Sequence, residues 1–136
     1  MTKQDLSLQS IMTYFCKRWS TAPDVRKPSN NAQYTVADGL LAAFAVFFMQ
    51  SSSFLEHQRL LQNKKGRSNA RSLFQVQEIP SDPQIRNLVD PLSSVYFQED
   101  FWYLLDTLQE QQRLLQFRNE LGTPSIAMDR VNFFAS

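Results

Sequence analysis

One run of residues sets the terms for the whole chain. Val36 to Met49 is fourteen residues of nearly continuous apolar side chains carrying a single charge, Asp38. Thr35, just before it, is a residue type favoured at helix N-caps, and an acid at the third position suits the positive end of the helix dipole. A helix that is apolar almost all round is either buried inside a bundle or spans a membrane. Crossing a bilayer takes about 20 predominantly apolar residues. The run is too short for that, so it predicts a central core helix and no membrane span.

The residues around this run organise themselves by helical spacing. Leu6, Leu8, Ile11, Met12, Phe15 and Trp19 recur mostly at three- and four-residue steps, which predicts a short leading helix. Pro23, Pro28 and the polar Ser29-Asn30-Asn31 stop it and read as a tether over the rest of residues 1–34. After the apolar run, Ser51 to Ser53 offer an N-cap for a helix from Phe54 to Gln62. Leu73 to Ile79 alternate as a short strand that Pro80 ends. From Val95 to Leu121 the periodicity predicts the longest helix, with Gly122 at its C-terminal cap and Pro124 beyond. Phe101, Trp102 and Tyr103 are adjacent, and one helical face cannot bury all three. Ser125 to Met128 and Val131 to Phe134 read as short strands.

Charge is distributed unevenly. The 136 residues sum to a formal +1 and fit a single domain. Residues 1–71, however, hold ten bases against four acids, or +6, and residues 72–136 hold four bases against nine acids, or −5. Within the first half, His57 to Arg71 contains Arg59, Lys64, Lys65, Arg67 and Arg71 and no acid. Such a window suits contact with a phosphate backbone, where each neutralised phosphate releases counterions. It also suits a solvated loop, as Gly66, Ser68 and Asn69 suggest.

A short helix is well delimited further on. Ser81 and Gln84 match the S-x-x-Q capping box, Pro83 is tolerated in a first turn, and Pro91 stops the helix at Asp90. At 100° per residue, Ile85, Leu88 and Val89 fall on one side and Arg86, Asn87 and Asp90 on the other. Arg can bond guanine edges and Asn adenine edges in a major groove, so the helix has the make-up of a recognition helix. The same pattern also describes a small amphipathic helix sealing a core.

Several chemistries are excluded by composition. Three glycines leave no Gly-rich phosphate loop, and one cysteine, Cys16, cannot form an internal disulfide. One histidine, His57, leaves no Cys/His cluster for zinc. Cys16 sits on the apolar side of the leading helix without an activating group, so it reads as packing. The N-terminal residues include Asp5 and show no continuous apolar segment with a cleavage site, so the expected location is the cytoplasm.

Three segments together resemble the N-terminal part of bacterial insertion-sequence transposases of the DDE type. They are Thr35 to Phe47, Leu73 to Leu92 with its core Ile79-Pro80-Ser81-Asp82-Pro83-Gln84-Ile85-Arg86, and Ser125-Ile126-Ala127-Met128-Asp129. The resemblance implies a mainly α fold, a helical N-terminal region followed by the first strands of an incomplete ribonuclease-H-like domain. It divides the chain into a leading helix and tether (1–34), a helical DNA-binding region (35–121) and the start of a catalytic domain (122–136). It places Asp129 as the first of three acids that hold two Mg²⁺ ions for DNA strand cleavage and transfer.

The family's other two acids are implied downstream, and Arg130-Val131 stands where family members tend to carry a small Gly-Thr step. The resemblance therefore implies a truncated copy that binds DNA through Arg59, Lys64, Lys65, Arg67, Arg71, Arg86 and Asn87, with an incomplete metal site at Asp129 and no strand transfer by itself. The alternative is a helical interaction module that associates with itself or with a full-length transposase and modulates it. The eight other acids of the second half, Asp100 among them, are expected in solvent-facing, capping or turn roles.

Overall fold

The computed structural model describes residues 6–50, 55, 56, 59, 63, 71–76 and 78–125. Its elements are α1 (Leu8–Trp19), α2 (Val36–Phe48), α3 (Asp82–Val89) and α4 (Gln98–Glu110), with 3₁₀ turns at Ser94–Phe97 and Leu115–Phe117. The described residues are mainly helical, and the only β pairing among them is an isolated bridge between Arg118 and Pro124. The strands predicted around Asp129 lie outside the described residues.

α2 begins where its cap places it. Thr35 Oγ1 accepts from the Asp38 backbone N–H at 3.1 Å, and the Asp38 carboxylate accepts from Thr35 N at 2.7 Å and from Thr35 Oγ1 at 2.8 Å. These bonds satisfy backbone donors that no helical carbonyl can reach. Val36, Leu40, Leu41, Ala42, Ala45 and Val46 are buried, with α1 on one side and α3 on another. The prediction of burial on every side fails in the last turn, where Phe47 is 74% exposed and Phe48 and Met49 are also exposed. Gln50 then takes a left-handed backbone (φ 51°), which ends the helix.

α3 is held by packing. Ser81 donates to Gln84 Oε1 through its backbone N–H at 2.8 Å and its hydroxyl at 2.9 Å, which is the predicted cap viewed from the Gln84 side. Eight residues are too few for a helix to be stable alone. Ile85 and Leu88, both buried, supply about 1.5–3 kcal/mol each on leaving water. The seat is Gly39 of α2: a Cβ there would stand 2.8 Å from Leu88 Cβ and 3.0 Å from Leu88 Cδ1. Only a glycine lets the two helices come this close.

α1 contributes Met12, Phe15 and Trp19 to the core. Phe15 stacks on Trp19 (4.3 Å, 6°), and Phe44 of α2 presents an edge to both. On its other side α1 meets α4: Tyr14 stacks on Tyr103 with centroids 3.6 Å apart and planes 4° from parallel. Tyr103 is thus the inward member of the aromatic triplet, leaving Phe101 72% and Trp102 61% exposed.

Two other predicted elements differ. Leu73 to Ile79 is not a strand: residues 71–74 are helical and Gln75 is left-handed (φ 55°). Phe74 and Val76 are nonetheless both buried, as alternate residues of a strand would be. The alternation reports which side chains face the core, and it does so without a partner strand. The long helix predicted to Leu121 stops at Glu110, and Gln112 follows with φ 57°. Leu115, Phe117 and Leu121 are exposed, so among the described residues past Glu110 no buried face rewards continuing the helix. Gly122 (φ 74°) instead serves a tight turn whose Asn119 carboxamide oxygen accepts from Leu121 N, Thr123 N and Thr123 Oγ1 at 3.0, 3.1 and 2.9 Å.

Candidate nucleic-acid interface

α3 sorts its side chains as the sequence predicts. With Ile85 and Leu88 buried, Leu88 against Gly39 of α2, Arg86 and Asn87 are exposed. Arg86 Nε bonds Asp82 Oδ1 at 2.9 Å, one helical turn away, and this pair lies open to solvent. Exposed pairs of this kind add little stability. Their effect is to hold the guanidinium plane in place along the helix.

Beside α3 lies a groove of about 300 Å³ lined by Arg26, Asn31, Ala32, Gln33, Tyr34, Gln84, Asn87 and Leu88. One wall is α3 and the other is the segment predicted as a free tether. Within that segment Arg26 bonds both Asp24 and the Tyr34 carbonyl. Its Nε bonds Asp24 Oδ1 at 2.8 Å, its Nη2 bonds Asp24 Oδ2, and Nη2 also donates to the Tyr34 carbonyl at 3.0 Å. The Arg26 hydrogen bonds, from its side chain and its backbone N–H, hold the Asp24 carboxyl at about 2, below the usual carboxylate range. The groove itself was not foreseen; the available signal was the acid–x–Arg spacing of Asp24 and Arg26.

The predicted basic residues are only partly within view. Arg59 and Arg71 are exposed at helical positions. Lys64, Lys65 and Arg67 lie outside the described residues, as does Asp129, so the Mg²⁺ site implied there does too. Among the described residues no three His, Cys, Asp or Glu side chains are grouped to hold a metal ion, and no helix is long and apolar enough to cross a membrane.

A second polar constellation joins α1 to α4, and it overturns the surface role expected for Asp100. Asp100 is 5% exposed. Its Oδ1 accepts from Arg18 Nε at 2.8 Å and its Oδ2 from Trp19 Nε1 at 3.1 Å. Arg18 also donates to the Tyr96 carbonyl, pairs with Glu99 at 3.1 Å and lies 4.5 Å above the Tyr96 ring, whose hydroxyl donates to the Arg18 carbonyl at 3.2 Å. Burial pushes the Tyr14 and Tyr96 phenols up, and the neighbouring Asp100 charge adds to it. Both Asp100 oxygens are occupied by donors of α1, so the cluster acts as a clamp between helices. Cys16, also on α1, has its thiol pushed up by burial, which keeps it in the unreactive protonated form.

No family model, curated protein or solved structure matches this chain.

Proposed function

We propose that this chain is a DNA-binding region of a DDE-type insertion-sequence transposase, acting in DNA transposition through its helical residues. The observation that carries the reading is the division of α3: Ile85 and Leu88 are buried, Leu88 against Gly39 of α2, while Arg86 and Asn87, the residue types that bond guanine and adenine edges, stand exposed together. The basic residues Arg59, Lys64, Lys65, Arg67 and Arg71 add the charge that a phosphate backbone attracts. In this reading they give affinity, and α3 gives sequence preference.

Fluorescence anisotropy on labelled duplex DNA over a salt series tests it. Neutralising about four phosphates gives a slope of log affinity against log salt near −3.6. Replacing Lys64, Lys65 and Arg67 with alanine should weaken binding to every sequence and flatten that slope, whereas Arg86→Ala or Asn87→Ala should relax sequence preference. Absence of binding at low salt, or binding indifferent to salt, refutes the reading.

A second reading, an interaction module that pairs with itself or with a full-length transposase, is favoured by the exposed Phe101 and Trp102 on α4. Light scattering after size exclusion separates the two. A monomer at high micromolar concentration that also fails to bind full-length transposase removes it.

A further inference from the structure

We propose that the groove between residues 26–34 and α3 is a base-reading subsite, in which Arg26, held in place by Asp24, donates to the major-groove edge of a guanine. The inference rests on the DNA-binding reading above and assigns to it a residue outside the basic window and α3.

The guanidinium of Arg26 is fixed before any ligand arrives. Of its five N–H donors, Nε and the two on Nη2 are engaged by Asp24 and the Tyr34 carbonyl. Among the described residues the two Nη1 donors have no partner. A planar group oriented in advance loses little further freedom when it bonds a ligand. It lines a groove whose other polar side chains are mostly amides, and Asn87, which follows Arg86 on the exposed side of α3, lines the same groove.

Electrostatics decides which part of the DNA this arginine suits. Asp24 remains ionised down to about pH 2, so at neutral pH the Asp24–Arg26 pair carries no net charge. Affinity for phosphates comes from uncompensated positive charge that displaces counterions. A neutral pair supplies almost none, and the Asp24 oxygens repel a phosphate that approaches. What remains is an oriented Nη1 amino group, one N–H of which can donate to the O6 acceptor of a guanine. Arg86 carries the same device, paired with Asp82 one turn away. Arg86 directly precedes Asn87 on α3, and Arg26 shares the groove with it.

The test starts from a pool of duplexes with a randomised central segment, selected on the full chain and sequenced. Anisotropy over a salt series then compares the enriched duplex with the unselected pool. Circular dichroism checks that the variants fold, which the exposed position of the Asp24–Arg26 pair favours.

Arg26→Ala is expected to lower the preference at one G·C position by between about twofold and about tenfold, leaving the salt slope unchanged. Asp24→Asn, which releases the charge, is expected to steepen the slope by about 0.9 and lower discrimination. A flatter slope in Arg26→Ala with preference intact means a phosphate contact and overturns the proposal, as does an unchanged preference. If Arg86→Ala relaxes preference and Arg26→Ala does not, the subsite falls while the DNA-binding reading stands. If the wild-type chain retains no DNA at low salt, both fall.

Discussion

Replacing Asp100 with alanine removes the acceptor that two residues of α1 depend on. Arg18 Nε and Trp19 Nε1 lose their partner at once, in a place where the side chains of Arg18 and Asp100 are only 17% and 7% exposed. Breaking a buried pair from one side strands the other charge, at a typical cost of about 3–5 kcal/mol. The orphaned indole N–H is a further penalty of about 1–3 kcal/mol where water cannot reach it. Glu99 and the Tyr96 carbonyl still hold Arg18, so the lower part of the combined range applies and a loss of about 4 kcal/mol is expected. Domains of this size are stable by only about 5–15 kcal/mol, so the variant should be near the edge of folding.

Urea denaturation followed by far-ultraviolet circular dichroism measures the effect. With a slope of about 1.5 kcal/mol per molar, the midpoint should fall by about 2–3 M. Exchanging both charges for apolar residues, Arg18→Met with Asp100→Leu, should recover part of the loss, because no buried charge is then left unpaired while the Trp19 indole N–H still lacks its acceptor. A midpoint for Asp100→Ala within 0.5 M of wild type would refute the clamp, and so would a double variant no more stable than the single one.

Three further outcomes follow from other parts of the fold. Gly39→Ala gains about 1 kcal/mol of helix propensity but forces a Cβ to 2.8 Å from Leu88 Cβ, which can retreat only by moving α3. Overpacking of this kind costs about 1–3 kcal/mol, so thermal melts should show a net loss, and an unchanged melting temperature would contradict the packing. Asp24 has a folded-state value below its ordinary one, so its pair with Arg26 contributes fully above about pH 3.8 and is lost as pH falls through about 2. A carboxyl-carbon NMR titration of Asp24 should have its midpoint near 2, and one near 3.8 would mean that the pair does not form in solution. Cys16, with its thiol pushed up by burial, should react slowly with a maleimide at neutral pH and much faster in denaturant; equal rates would place it at the surface.

What the sequence by itself determined about this chain was its local logic. The Thr35–Asp38 and Ser81–Gln84 caps close between residues three apart, so residue type and spacing were enough to locate the starts of α2 and α3. The stripe of α1 and the two sides of α3 were equally legible, because helical periodicity sorts side chains before any partner is known. Even the mistaken strand at Leu73 to Ile79 carried correct information, since Phe74 and Val76 share a buried fate whatever the backbone between them does.

Tertiary structure alone decided where α4 ends, whether Asp100 meets water, and that the loop at residues 26–34 walls a groove with α3. In each case the deciding partner is distant in sequence: Arg18 and Trp19 lie more than 80 residues from Asp100, and Arg26 lines its groove with Asn87. An acid followed by aromatics reads the same in sequence whether it ends in solvent or under a neighbouring helix. Only the packing of α1 against α4 removes its water and makes the Arg18 charge necessary.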